Sequence, residues 1–136
     1  MTSYLTVEDV VSFHKVLIQR YGGAEGIKDL GALDSALHRP QSGYYDDVLW
    51  QAAAMFESLL MNHAFVDGNK RTAFAALHTF LLINGYELQQ SWGSVYKSIV
   101  ELFQWDDKAT RLAQIHKTIF RWLHTDMPGV AIPVRD

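Results

Sequence analysis

Apolar side chains recur every three or four residues along most of the chain, which is the spacing of one face of an α-helix. This pattern predicts a first helix from about Val7 to Tyr21. Thr6 stands at its N-cap position with Asp9 three residues later, in a loose capping box. Gly22 and a second glycine follow the last apolar position, so we expect the helix to end there.

The same spacing predicts five further helices, at about Asp29 to His38, Val48 to Asn62, Asn69 to Asn84, Ser94 to Phe103 and Asp106 to His124. The third and fourth are largely apolar, and the third carries a single charge, so both are expected to be central. Residues 41–47 are predicted to form a surface loop and residues 86–90 an extended piece. From about residue 126 the tail contains two prolines and is expected to be irregular.

Together these elements predict an all-α fold, a compact single-domain bundle of about six helices. A length of 136 residues suits one domain, so residues 1–136 are assigned to it. Hydrophobic residues make up 49% of the chain and charged residues 20%, a globular balance without a long disordered tail. The connection HAFVDG joins the two central helices.

Charge and composition exclude several classes of function. Asp and Glu outnumber Lys and Arg by 15 to 12, so general nucleic-acid binding is disfavoured. The absence of cysteine excludes disulfides, thiolate metal sites and a cysteine nucleophile. No stretch approaches the length of a membrane span and the N-terminus lacks a signal-peptide pattern, so we expect a soluble cytoplasmic protein without a membrane partner.

Lys70 and Arg71 begin the fourth helix, where the helix dipole disfavours cations. Gly68 lets the backbone turn tightly just before them, and the first-turn N–H groups have no partner within the helix. Free donors and two cations at one place suit an anion, and phosphate matches them best. The alternative is that both side chains simply extend into water.

Asp67 and His63 complete the candidate chemistry. A carboxylate beside a phosphate needs a bridging cation, and Mg²⁺ commonly takes one or two carboxylates together with phosphate oxygens and water. The alternative role for Asp67 is the N-cap of the fourth helix. His63 titrates near neutrality and suits proton abstraction from a hydroxyl, although most single histidines have no such role. Within nine residues the segment holds the parts that phosphoryl transfer requires.

The remaining candidate residues are assigned to packing or to the surface. Phe65 is interpreted as a hydrophobic anchor of the loop. The other five histidines show no paired metal-ligand spacing, and the tryptophans and the two adjacent tyrosines favour packing over base stacking. These residues are His14, His38, His78, His116, His124, Trp50, Trp92, Trp105, Trp122, Tyr44 and Tyr45.

The segment HAFVDGNKRTAF resembles the signature His-x-Phe-x-Asp/Glu-Gly-Asn-x-Arg of the Fic/Doc superfamily. The segment RYGGAEGIKDLGALDSALHRP, Arg20 to Pro40, resembles the N-terminal part of Doc (death-on-curing) toxins, so the resemblance covers most of residues 4–86. It implies that His63 is the general base, that Asp67 holds Mg²⁺, and that the nucleotide phosphates contact Gly68, Asn69, Lys70 and Arg71.

Position 70 separates two activities within the superfamily. Nucleotide-transferring Fic enzymes usually have glycine there and a second arginine three residues after the first, whereas this chain has Lys70 and Phe74. In the Doc branch the lysine accompanies a reversed nucleotide that presents its γ-phosphate, which implies an ATP-dependent kinase. An AMP transferase is the alternative. Ala64 replaces the common Fic proline, which we treat as neutral.

The resemblance also implies a biological role as the toxin of a toxin–antitoxin module. Doc-like toxins phosphorylate elongation factor Tu, arrest translation and are neutralised by Phd-type antitoxins. The self-inhibitory Fic motif Ser/Thr-x-x-x-Glu-Gly/Asn is absent, so inhibition is expected from another molecule. Residues 22–31 are the expected flap that aligns the target peptide. An alternative of another class is a catalytically inactive module that binds only its antitoxin.

Overall fold

The computed structural model describes residues 1–123 and confirms the all-α prediction for that part of the chain. A single 3₁₀ turn, Arg39–Gln41, follows the second helix. The predicted C-terminus of the last helix at His124 and the irregular tail from about residue 126 lie outside the described residues. The six α-helices of residues 1–123 are α1 (Val7–Tyr21), α2 (Leu30–His38), α3 (Val48–Met61), α4 (Asn69–Ile83), α5 (Trp92–Leu102) and α6 (Lys108–Trp122).

Helix starts follow the capping residues. The capping box of Thr6 and Asp9 at α1 is confirmed, with the Thr6 side chain accepting from the Asp9 N–H at 3.1 Å. Helix α5 begins two residues earlier than predicted because Ser91 forms its capping box with Ser94. Helix α6 begins after the predicted Asp106 because Asp107 is its N-cap.

Helix α3 forms the centre of the bundle, as predicted. Every residue from 51 to 60 is buried, and α3 packs against α2, α4 and α6. A helix that is apolar on all sides is expected to be buried in this way. Helix α4 packs on α1, α3 and α5, and only its last two residues, Leu82 and Ile83, are exposed.

The one charge of α3 is neutralised inside the bundle. Glu57 is buried and accepts from Nη1 of Arg39 at 2.8 Å and from Nε of Arg111 at 2.9 Å. The guanidinium of Arg39 also donates to the Tyr45 hydroxyl, and that of Arg111 to the Trp105 carbonyl. This network ties α3 to the 3₁₀ turn and to α6.

The chain before α2 runs antiparallel to the connection between α3 and α4. The N–H of Lys28 donates to the Ala64 carbonyl at 2.8 Å, and that of Val66 donates to the Gly26 carbonyl at 3.1 Å. These bonds flank an isolated bridge between Ile27 and Phe65. They place residues 26–29 beside residues 64–66, shortly before the start of α4.

The two segments predicted without helix agree with the structure in most positions. In residues 41–47, Gln41 belongs to the 3₁₀ turn and Asp47 accepts from the Trp50 N–H at 2.9 Å as the N-cap of α3. Residues 86–90 lie outside any helix, and the Gln89 N–H donates to the Trp122 carbonyl at 2.8 Å. None of the helices described is long and apolar enough to cross a membrane.

Candidate functional site

The six residues predicted from the sequence lie together around one open cavity of about 260 Å³ at the junction of α3 and α4. The cavity is lined by His63, Val66, Asp67, Gly68, Asn69, Lys70, Arg71 and Trp92. A larger cavity, of about 500 Å³, lies at the other end of α4, beside Met1 and Tyr86, and no charged side chain lines it. We place the chemistry in the smaller cavity because His63, Asp67, Lys70 and Arg71 all line it.

Gly68 shapes the floor of the cavity. It is the N-cap residue of α4 with φ 74°, in the left-handed region that glycine adopts without strain. A Cβ atom at this position would lie 3.2 Å from Cδ1 of Ile18. No side chain among the described residues caps this helix, so the first-turn N–H groups remain available for an anion.

Asp67 is not the N-cap of α4, so the alternative role considered for it from the sequence is wrong. Its Oδ1 accepts from the Gly68 N–H at 2.9 Å, and its Oδ2 accepts from the Ala24 N–H at 3.2 Å. Close approach of the α1–α2 loop requires glycine, because a Cβ on Gly23 would lie 2.7 Å from Oδ2.

The exposed carboxylate of Asp67 fits a cation that is shared with a phosphate ligand. Each of its oxygens accepts one hydrogen bond, which leaves lone pairs on both. In residues 1–123 no three His, Asp or Glu side chains cluster as a metal cage. A single carboxylate with phosphate oxygens and water is a common arrangement for Mg²⁺.

His14, on α1, holds the backbone of Asp67 through a hydrogen bond. Nε2 of His14 donates to the Asp67 carbonyl at 2.8 Å, and its ring stacks on Phe65 with centroids 3.9 Å apart. Because a carbonyl only accepts, Nε2 must carry the proton. Phe65 is buried, which confirms its interpretation as the anchor of the loop.

The side-chain amide of Asn69 closes the loop between α3 and α4. Its Oδ1 accepts from the Phe65 N–H at 3.0 Å, and its Nδ2 donates to the Phe65 carbonyl at 2.9 Å. Both ends of the side-chain amide are therefore occupied by the loop backbone. Asn69 can offer a phosphate its own backbone N–H in the first turn of α4 and the second hydrogen of Nδ2.

His63 borders the cavity with an exposed side chain and φ 47°. A left-handed conformation is uncommon outside glycine, although histidine is among the residues enriched there. Within residues 1–123 neither ring nitrogen has a hydrogen-bond partner. The imidazole is therefore free to accept a proton from an incoming ligand.

Lys70 and Arg71 do not simply extend into water. Both are half-buried, and neither forms an ion pair with an acidic side chain of the described residues. Nζ of Lys70 lies 5.2 Å from the centre of the Phe103 ring. Cζ of Arg71 lies 4.1 Å from the centre of the Tyr21 ring and 4.8 Å from that of Trp92.

Residues that contact the site but were not assigned to it from the sequence include Tyr21, Gly23, His14 and Trp92. They belong to α1, to the loop that follows it and to α5, far along the chain from residues 63–71. Trp92 was interpreted as a packing residue, and it does pack on Phe74, but it also lines the cavity. No local pattern identified these contacts, because they depend on how the helices pack.

Comparison with known proteins gives consistent matches. A sequence profile of the Fic/DOC family matches residues 4–81. The chain is 48% identical over 93 residues to "Toxin Doc" of Mycolicibacterium smegmatis, a match that covers 65% of this chain and 69% of that protein. It is 30% identical over 92 residues to "Protein kinase doc" of Escherichia phage P1, covering 65% of this chain and 73% of that protein.

Proposed function

The chain belongs to the Fic/DOC family, and from that premise we propose that it is the toxin of a toxin–antitoxin module that transfers the γ-phosphate of ATP to a protein hydroxyl. One observation carries the proposal. Within residues 1–123, a histidine without a hydrogen-bond partner, an exposed carboxylate and two cations border one open cavity at a helix N-terminus that no side chain caps. The two relatives support it, one being named a toxin and the other a protein kinase.

The triphosphate is expected to bind at the N-terminus of α4. The first-turn N–H groups, Lys70 and Arg71 would neutralise its charge, as phosphoryl transfer requires. Asp67 would hold Mg²⁺, which when bound offsets the charge of the phosphate oxygens. These groups position the triphosphate and neutralise its charge, and they form no covalent bond with the substrate.

His63 then serves as the general base. Its free ring nitrogen takes the proton of the target hydroxyl, whose oxygen forms a bond to the γ-phosphorus. The bond between that phosphorus and the bridging oxygen of the β-phosphate breaks, and ADP leaves. The product is a phosphorylated protein, and the proton stays on His63 until solvent removes it.

The choice of the γ-phosphate rests on Lys70. Its side chain borders the cavity, so the space that a glycine would leave at this position is occupied. This supports the kinase over the AMP transferase. The test supplies magnesium and ATP labelled at either the α- or the γ-phosphate, together with bacterial extract. Label on protein from the γ-position alone is expected, and label from the α-position alone would reject the kinase.

A His63→Ala variant is the matched control, because it removes the proposed base from an exposed position. Loss of transfer with unchanged folding is expected, whereas transfer at the wild-type rate would reject the assignment of the base. Calorimetry of magnesium-ATP binding tests the remaining alternative. Binding of an antitoxin without any binding of ATP would identify a catalytically inactive module.

We propose elongation factor Tu as the target and arrest of translation as the result, which places the activity in the cytoplasm. Purified elongation factor Tu with γ-labelled ATP tests this directly. Residues 22–31 are the proposed flap for the target peptide, since Gly26 already pairs with Val66 beside the site. Absence of label on the purified factor, with label on other proteins of the extract, would reject elongation factor Tu as the target. The proposed kinase activity would stand.

A Phd-type antitoxin is the proposed partner. An apolar cavity of about 390 Å³ between α1 and residues 25–27 is a place where a flexible antitoxin segment can fold onto the toxin. We also propose that residues 1–136 form one domain, since the described helices share one hydrophobic core. Limited proteolysis tests the domain assignment, and co-purification with the antitoxin tests the partner.

A further inference from the structure

Both cations of the site lie over aromatic rings that come from other parts of the chain. Tyr21, the last residue of α1, and Trp92, the first residue of α5, contact the guanidinium of Arg71. Phe103, the C-cap residue of α5, contacts the ammonium of Lys70. The residues matched by the family profile end at 81, so the contribution of α5 lies beyond them.

Aromatic contacts can hold an arginine side chain without occupying its N–H donors. A cation–π contact requires no hydrogen-bond acceptor, and in residues 1–123 no group accepts a hydrogen bond from the Arg71 guanidinium. A carboxylate partner would fix Arg71 equally well but would occupy those donors and offset its charge. No acidic side chain of residues 1–123 forms an ion pair with Arg71.

Trp92 is itself held in place by its neighbours. Its ring lies 5.8 Å from that of Phe74 on α4 and 5.5 Å from that of Tyr96 on α5, measured between centroids. Two aromatic contacts restrict the orientation of the indole. The ring therefore offers Arg71 a fixed surface at the border of the cavity.

We propose that Tyr21 and Trp92 are positioning residues, which hold the guanidinium of Arg71 so that its N–H donors meet the phosphates of the nucleotide. The inference rests on the proposed function, because it requires that the cavity binds a triphosphate. It assigns to α5 a role in ligand binding. A packing residue would stabilise the fold without acting through Arg71.

The test measures binding of magnesium-ATP and of inorganic tripolyphosphate by calorimetry. Trp92→Leu and Tyr21→Leu remove the aromatic faces, and each is expected to weaken both ligands by about threefold to thirtyfold. Trp92→Phe and Tyr21→Phe keep a ring and are expected to retain most of the affinity. Because tripolyphosphate has no base, equal losses for the two ligands assign the effect to the phosphate end.

A double-mutant cycle supplies the decisive readout. In an Arg71→Ala background, Trp92→Leu is expected to cause no further loss of affinity, since its effect passes through Arg71. Additive losses would overturn the inference, as would a loss confined to ATP, which would assign Trp92 to the base instead. If Trp92→Leu does not fold, Tyr21→Leu carries the same cycle, because Tyr21 is 57% exposed.

The failure of this inference is distinguishable from that of the proposed function. A wild-type protein that binds neither ligand would overturn both. A wild-type protein that binds and transfers phosphate, with unchanged affinity in both leucine variants, would overturn the positioning role alone.

Discussion

Nε2 of His14 lies 2.8 Å from the carbonyl oxygen of Asp67, so α1 holds the backbone of a residue 53 positions further along the chain. The same ring stacks on buried Phe65. The carboxylate proposed to hold Mg²⁺ is therefore attached to the bundle through its own main chain. We therefore expect its orientation to depend on His14, which does not line that cavity.

His14→Phe should keep the stacking on Phe65 and remove the donor to Asp67. We expect the free energy of unfolding to fall by about 1 kcal/mol, the net value of one hydrogen bond, and magnesium-ATP affinity to weaken with it. Urea denaturation and calorimetry measure the two effects. His38→Phe is the control, because its bond to the Asp34 carbonyl is local and exposed. Unchanged ligand affinity in His14→Phe would contradict the positioning of Asp67 by His14.

Gly22 and Gly23 provide a matched pair for the approach of the α1–α2 loop to the site. Both have positive φ, 87° and 113°, so alanine strains the backbone at either position by about 1 kcal/mol or more. Only at Gly23 does the new Cβ meet Asp67, at 2.7 Å from Oδ2, whereas Gly22 faces open space. We expect both variants to lose stability and only Gly23→Ala to lose Mg²⁺-dependent ATP binding. Equal binding by the two variants would show that the carboxylate tolerates displacement.

Glu57→Gln tests the buried ion-pair network that joins α3 to the 3₁₀ turn and to α6. It leaves the guanidinium groups of Arg39 and Arg111 without their shared counter-charge in a buried position. Breaking such an arrangement costs about 3–5 kcal/mol. The midpoint of urea denaturation should fall accordingly, while exposed Glu101→Gln should change it little. A small effect of Glu57→Gln would mean that hydrogen bonds to the amide replace the ion pairs.

Local signals were sufficient for most of the fold. The start of α1 at Val7 followed from Thr6 and Asp9, and the end of α4 from Gly85, which has φ 96°. These features depend on a few adjacent residues, so the sequence contains them completely. The family followed from a motif of the same kind, and the match to residues 4–81 confirms it.

The remaining features depend on tertiary contacts. Asp67 is a residue type favoured at N-caps, but the N-cap residue of α4 is Gly68, which has a left-handed backbone. The Asp67 carboxylate accepts from the Ala24 N–H instead. Asn69 was predicted to contact the nucleotide, and the sequence did not indicate that its side-chain amide also binds the Phe65 backbone. Trp92 contacts Arg71 only because α5 returns to the start of α4. The sequence contains the residues of the site and not the directions of their side chains.

We expect the His116 side chain to make the free energy of unfolding depend on pH. Its ring stacks on Trp50 with centroids 3.7 Å apart, and burial lowers the pKa of His116 below its usual 6.5, with the Asp47 carboxylate opposing part of that change. The folded protein therefore binds this proton less readily than the unfolded chain does. The contribution of neutral His116 to the free energy of unfolding is fully present above its usual pKa. It decreases as the pH falls below that value towards the pKa of the folded state.

His116→Phe keeps an aromatic ring on Trp50 and removes the titrating group. Between about pH 7.5 and about pH 5 we expect the free energy of unfolding of this variant to change less than that of the wild type. Titrations of other groups, including Asp107, whose pKa is lowered by hydrogen bonds from Thr110, occur in both proteins and cancel in the difference. Parallel curves for wild type and His116→Phe would mean that the stacked imidazole accepts its proton as readily in the folded chain as in the unfolded one.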